Sequence, residues 1–301
     1  YALNGDEQFE DESAWETKVR QQRMIMQVQF VDKLLGLLLD RLEASDAYKN
    51  SLVIVQADHG VTLTAGYSHR FISRDYVTAP DIAYPPLFIH APGQVEGTIS
   101  DANVEMVDEL AIISNILNTE VPWKMDGMLP EDKSAERAST KTVWLNPHPY
   151  DIAPRPEKVL TFDAKKFQSE MFARIPSGAT PTNYLDMLYA DTPNYQLMGQ
   201  QVNVGSLPQC ACDVTVDSDL RSDRNPLVYL RGSASGDLKD GDWIAFIVRG
   251  KVSGLSQIFT RGGVTMFASL AYREDYGDDW TDPQAAKIGA NGELSELIAL
   301  K

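Results

Sequence analysis

The sequence predicts an α/β protein in which a helix-flanked sheet is followed by a smaller β-rich domain. Three observations carry this reading. Residues 13–45 repeat apolar side chains at helical spacing. Two short apolar runs, LVIV at 52–55 and PLFIHA at 86–91, read as buried strands set among helices, the order expected of α/β architecture. Beyond residue 206 helical periodicity gives way to short β-branched and aromatic runs.

The elements follow in order. Residues 1–12 are acidic and polar, as in a frayed terminus. Ser13 and Glu16 have the spacing of a capping box. Val19, Met24, Met26, Val28, Val31, Leu34, Leu35, Leu38, Leu39 and Leu42 then mark one long helix ending near Ser45. A polar turn leads into the strand at 52–55. Residues 61–84 read as a long loop of the kind that carries function at sheet ends. Strand 86–91 is closed by Pro92 and Gly93, and a helix spans about 107–118. Residues 131–160 are polar and proline-rich, a connector. Helices are expected near 163–174 and 183–189, and β segments at 227–232, 243–252, 264–272 and 293–300. The expected division is 1–130 for the α/β part, 131–205 for the connector with short helices, and 206–301 for the β-rich domain.

Composition excludes several functions. The 301 residues carry 43 acidic against 27 basic side chains, a formal charge of −16, which disfavours nucleic acid and anionic membrane surfaces as partners. At 43% hydrophobic and 23% charged the chain is an ordinary globular one, and no apolar run approaches the ~20 residues that span a bilayer. Cys210 and Cys212, one residue apart, are badly placed for a mutual disulfide and read as structural thiols.

The chemistry concentrates at LVIVQADHG, residues 52–60. An apolar strand ends abruptly in Asp58, His59 and Gly60. A carboxylate and an imidazole side by side at a strand's carboxyl end form half of a divalent-metal site. Gly60 lets the backbone turn sharply where a side chain would be in the way. His90, inside an apolar strand, reads as a core histidine, and His148, among prolines, as a surface one. Asp32 and Asp108 read as local helix partners. The acidic run YGDDWTD, with Asp278, Asp279 and Asp282, reads as a solvated loop rather than a Ca²⁺ site.

Four segments in order then resemble the sulfatase and alkaline-phosphatase superfamily: QVQFVDKLLGLLLDRLEASDAYKNSLVIV (27–55), ADHG (57–60), YPPLFIHAPGQVEGTISD (84–101) and VEMVDELAIISNILNTEVPWKMDGMLP (104–130). PLVYLRGSASG followed by DWIAFIVRGKVSG is similar to the extra β domain of certain bacterial membrane-anchored sulfatase-like proteins. The resemblance implies a partial alkaline-phosphatase-like sheet. It also implies a metal-dependent hydrolase or transferase acting on a sulfate or phosphate ester. Asp58 and His59 would be metal ligands, the cation being Ca²⁺, Mg²⁺, Mn²⁺ or Zn²⁺. His69 and Arg70 are the candidates to complete the catalytic site, since an arginine fork suits an oxyanion.

No Cys-x-Pro-x-Arg or Ser-x-Pro-x-Arg signature occurs. The nucleophile is therefore expected on upstream sequence of the same protein, or on another chain, and this polypeptide alone is expected to be inactive. The resemblance also implies an extracytoplasmic location, with any membrane anchor in sequence outside these residues. The competing expectation is a non-catalytic structural or binding module that keeps the fold without the chemistry.

Overall fold

The structure is a computed structural model and describes residues 13–67, 69, 70, 72, 73, 76–144, 159–173, 185–220 and 226–301. The acidic segment 1–12 and the proline-rich stretch with His148 lie outside these residues. The chain separates into two compact units. The first comprises Gln29–Thr62 and the described part of Tyr67–Gly178. The second comprises the described part of Phe9–Val28, with Leu63–Gly66 and the described part of Ala179–Lys301. The protein is of mixed α and β structure, dominated by an eight-stranded sheet in the second unit.

Helix α1 (Ala14–Ala44) realises the predicted long helix and contributes to both units. Ser13 caps it by accepting the Glu16 N–H at 3.0 Å. Only its first turns bury apolar side chains, Trp15 and Val19. Within Gln29–Ala44 the described residues leave Phe30, Val31, Leu34, Leu37 and Leu38 exposed. At spacings i, i+1, i+4, i+7 and i+8 these five side chains share one face of the helix.

In the first unit, α2 (Ala47–Asn50) follows Asp46, whose φ of 56° makes the sharp turn after α1. Strand β1 (Val53–Gln56) comes next, then α3 (Ala79–Ala83) and β2 (Leu87–His90). The parallel, doubly buried reading of LVIV is corrected here. β1 pairs antiparallel with β2, Val53 opposite His90, and both strands are only half-buried. An apolar run of four residues reports low polarity but not strand direction or neighbours. His90 is satisfied as expected. Its Nε2 lies 3.1 Å from the Tyr48 carbonyl and its ring stacks on Tyr48 at 3.9 Å.

A single 3₁₀ turn (Met106–Asp108) opens α4 (Glu109–Ile116). The stretch 131–160 read as a connector contains α5 (Ala135–Ser139), β3 (Thr140–Trp144) and the start of β4 (Val159–Asp163), and α6 (Ala164–Phe172) realises the helix expected near 163–174. β3 and β4 form an antiparallel pair. Leu160 and Phe162 of β4, with Phe167 of α6, cluster with Ile72, Ala79 and Ile82. Asp163 caps α6 by accepting the Lys166 N–H at 2.7 Å.

The second unit opens with α7 (Asp186–Tyr189) and continues with β5 (Gln209–Leu220), β6 (Leu227–Gly236), β7 (Trp243–Val248), β8 (Lys251–Gln257), β9 (Phe259–Arg261) and β10 (Val264–Tyr272). α8 (Arg273–Tyr276), β11 (Gln284–Ile288) and β12 (Leu294–Leu300) complete it. Strand order is β8-β7-β11-β12-β5-β6-β10-β9, antiparallel except for β12 beside β5. The run at 243–252 is two strands, not one. Arg249 (φ 52°) and Gly250 (φ 77°) turn it back as a two-residue hairpin, with both central residues at positive φ. One sheet face packs Phe246, Phe267, Val214 and Tyr276. The other packs Trp15, Val19, Leu188, Tyr189 and Leu255.

The sheet curls until β8 and β10 approach. The buried Tyr189 hydroxyl donates to the Leu270 carbonyl at 2.6 Å and accepts the Leu255 and Leu270 N–H groups at 3.2 Å. One phenol thus stands in for a missing ladder. Gly254 sits at this seam, where a Cβ would meet Ser269 Oγ at 2.6 Å.

Cys210 and Cys212 form a disulfide with Cα atoms 5.0 Å apart, correcting the thiol reading. In an evenly extended strand, residues two apart sit too far from each other for a bridge. Here β5 spends Gln209 to Asp213 opposite only Leu297 to Ala299 of β12, and this bulge draws the two cysteines together.

Candidate functional site

Asp58 and His59 follow β1 and line a cavity of about 660 Å³ in the first unit. Its walls come from β1, α3, β2, the 103–107 segment, β3 and α6. Ile82, Leu87, Ile89, Val143 and Phe167 supply apolar surface, and Gln56, Asn103, Glu105, Lys141 and Gln168 the polar groups.

Gly60 explains how the pair is placed. Its N–H donates to the Ile82 carbonyl at 2.8 Å, and a Cβ there would overlap the Asp81 carbonyl oxygen. Close passage against α3, not a left-handed turn, makes glycine necessary. Thr62 Oγ1 donates to Asp81 Oδ2 at 2.8 Å and fastens the same crossing.

His59 Nδ1 lies 2.7 Å from the Gly60 carbonyl. A carbonyl can only accept, so Nδ1 carries a proton. Nε2 then lies 3.6 Å from Asp58 Oδ2. Asp58 Oδ1 accepts the His59 N–H at 2.9 Å, which orients the carboxylate toward the ring. The His59 side chain is mostly buried, at 15% exposure, whereas Asp58 is 85% exposed. The pair therefore presents one anchored imidazole and one open carboxylate. At this distance a proton on Nε2 would make the two an ion pair. Residues of this kind fit a small divalent cation, with Gly60 O fixing the ring as a supporting carbonyl does in metal sites.

His69 and Arg70 are exposed and are not among the residues lining the cavity. The His69 carbonyl accepts the Thr62 N–H at 3.1 Å, returning the loop to within a few residues of Gly60. Among the described residues no three His, Cys, Asp or Glu side chains converge on one point. Asp32 is exposed on α1. Asp279 pairs with Arg249 and Thr281, consistent with a solvated loop.

Sequence reading missed the opposite wall. Lys141 Nζ donates to the Val104 carbonyl at 2.7 Å and faces the Tyr84 ring at 6.0 Å. Burial pushes its pKa down, against the opposing pull of Glu105. Glu105 accepts the Thr142 N–H at 2.8 Å. Behind this wall lies a polar knot. Asp108, fully buried, accepts from Lys133 Nζ at 2.6 Å, Glu105 N at 2.9 Å and Met128 N at 3.0 Å. Lys133 Nζ also donates to the Asn103 carbonyl at 2.5 Å. Burial alone would raise the Asp108 pKa. Lys133 and the two backbone N–H groups outweigh it and hold the carboxyl below its ordinary range. Gly127 belongs to the same knot, since a Cβ there would overlap the Val107 carbonyl oxygen. The DG pair at 126–127 was the one sequence signal for this close approach.

No family model matches the chain, and neither a curated protein nor a solved structure matches it.

Proposed function

We propose that the first unit is a portion of a metal-dependent sulfuric- or phosphoric-ester hydrolase or transferase of the alkaline-phosphatase type. The observation that carries the reading is the Asp58–His59 pair. Two acceptor atoms 3.6 Å apart are fixed by backbone hydrogen bonds at the edge of a cavity. A bound divalent cation would supply charge stabilisation for the transferring group. Asp58 and His59 hold that cation, and the apolar and polar walls beyond them receive the ester. His69 and Arg70 stand on the neighbouring loop outside the cavity lining, so the reading rests on Asp58 and His59 and not on them. The nucleophile and the remaining ligands come from polypeptide outside these 301 residues. The exposed leucine face of α1 supports that division, because such a face needs a covering surface.

The test uses the full-length protein with aryl sulfate and aryl phosphate esters, with and without a chelator. Turnover of one ester class that is lost with chelator and reduced by at least ~100-fold in Asp58→Ala supports the reading. Unchanged turnover in Asp58→Ala removes the metal assignment. The non-catalytic reading is favoured by one feature: Asp58 and His59 satisfy each other when Nε2 carries a proton, as a structural ion pair would. Absence of turnover together with absence of metal uptake would establish it.

A further inference from the structure

We propose that Lys141 is a carbonyl-capturing amine, whose Nζ takes up an aldehyde or ketone with an apolar body from the cavity of the first unit and holds it as an imine. Lys141 stands half-buried on β3 and lines the cavity together with Ile82, Val143 and Phe167. Its Nζ makes one hydrogen bond, donated to the Val104 carbonyl at 2.7 Å. Among the described residues no carboxylate forms an ion pair with it. The two carboxylates that act on it electrostatically, Glu105 and Asp108, are committed elsewhere. Glu105 accepts the Thr142 N–H at 2.8 Å and lies 3.9 Å from Arg137, and Asp108 is bonded to Lys133 at 2.6 Å.

An ammonium has three N–H groups to satisfy, and here one neutral carbonyl receives one of them. Burial therefore disfavours the charged form. The Lys133 cation pushes the same way. Glu105, Asp108 and the Tyr84 ring, 6.0 Å from Nζ, pull back. Burial is the largest of these influences and holds the Lys141 pKa below its ordinary value. Asp58, His59, Asp101, Glu109 and Lys165 complete the titratable groups on the wall, and none of them contributes to that shift. Desolvation beside apolar side chains and a neighbouring cation are the two conditions that make a lysine amine nucleophilic near neutral pH.

The chemistry balances without oxidant or reductant. The neutral Nζ attacks the carbonyl carbon, and the C=O π pair moves to oxygen as the C–N bond forms. One nitrogen proton passes to that oxygen and gives a carbinolamine. Loss of the hydroxyl with the second nitrogen proton releases water and leaves the C=N bond. A cavity of about 660 Å³ with apolar walls suits an aryl or alkyl body on the carbonyl.

The inference goes beyond the ester-transfer reading and needs neither metal nor ester, so its outcome is independent of that reading. The test treats the whole chain at pH 7 with benzaldehyde and sodium cyanoborohydride, which reduces any imine to a stable secondary amine. Peptide mass mapping then gives the rate at each lysine. Lys141 should be labelled at least ~10-fold faster than the exposed Lys124 and Lys239. Its labelling should also persist further toward acid pH than theirs, because a lowered amine pKa leaves more neutral nitrogen there. Lys141→Arg keeps a cation at the Val104 carbonyl and removes the nucleophile, so the fast labelling should vanish while Lys124 and Lys239 react as before. The decisive comparison is made among lysines of the unaltered chain and holds even if the variant folds poorly. Labelling of Lys141 no faster than that of Lys124 and Lys239, or with the same pH dependence, overturns the proposal and leaves Lys141 as an anchor between β3 and the Val104 carbonyl.

Discussion

Lys133→Met tests whether the polar knot behind the cavity is held by charge. Lys133 and Asp108 have side-chain exposures of 1% and 0%, and their atoms meet at 2.6 Å. Methionine keeps the length of the stem and removes the ammonium. Asp108 would retain the N–H groups of Glu105 and Met128 and the Arg137 guanidinium at 3.6 Å, but lose its nearest cation. Breaking one side of a buried pair costs about 3–5 kcal/mol. The two remaining N–H bonds and Arg137 argue for the lower end. The sign of the pH effect follows from the lowered Asp108 pKa. A carboxyl whose folded pKa is depressed contributes stability that is present above its unfolded value, near 3.8, and lost as pH falls through the folded value. Urea unfolding at pH 7 should therefore show the full loss for Lys133→Met. The gap from wild type should narrow below about pH 4. Asp108→Asn with Lys133→Met should cost less than the two single effects combined, because the two side chains are coupled. A loss under about 1 kcal/mol at pH 7, or a gap independent of pH, would refute the reasoning.

Three further outcomes follow from close contacts. Gly60→Ala should destabilise by about 2 kcal/mol or more, read as a fall in thermal midpoint, because its methyl group displaces the Asp81 backbone. Tyr189→Phe should cost about 1–3 kcal/mol in chemical unfolding, since it removes the hydroxyl that serves β8 and β10 at once. Cys210→Ser with Cys212→Ser should cost only about 1.5 kcal/mol, because the bridge closes a very short loop. Alkylation without reductant should leave the native chain's intact mass unchanged.

The parts of this structure legible in sequence are those whose signals are local. Ser13, the helical period and Asp46 delimit α1 to within a residue or two of Ala14–Ala44. Gly60 was legible as a place where a side chain would obstruct, although the cause is close passage of another backbone and not a sharp turn. What escaped depends on partners distant in sequence. β3 and β4 are polar on one side and separated by a proline-rich stretch, so neither announces itself until Leu160 and Phe162 are seen against Ile82. The turn at Arg249-Gly250 lacks the Asn-Gly or Asp-Gly signature, which made two strands read as one. The disulfide required a bulge in β5 that only the register against β12 discloses. Within the candidate site the same rule holds. Asp58 and His59 are adjacent and were visible, whereas Lys141 and Gln168 are brought to the cavity by β3 and α6.

The most discriminating local measurement at that cavity concerns which nitrogen of His59 holds the proton. An isolated neutral imidazole can carry it on either ring nitrogen, and the choice here is imposed by the Gly60 carbonyl at 2.7 Å from Nδ1. The expected neutral form is Nδ1–H, with Nε2 aimed toward the Asp58 carboxylate. Two-bond ¹H–¹⁵N spectra of the ring report this directly, since protonated and bare nitrogens differ widely in shift. Adding Zn²⁺ or Mn²⁺ should perturb the Nε2 signal first, and Asp58→Asn should weaken that response by about 10-fold or more while leaving Nδ1–H in place. Were His59 instead doubly protonated at pH 8 and unresponsive to either metal, its role would be to neutralise Asp58. The two outcomes separate a metal half-site from an ion pair without any assay of turnover.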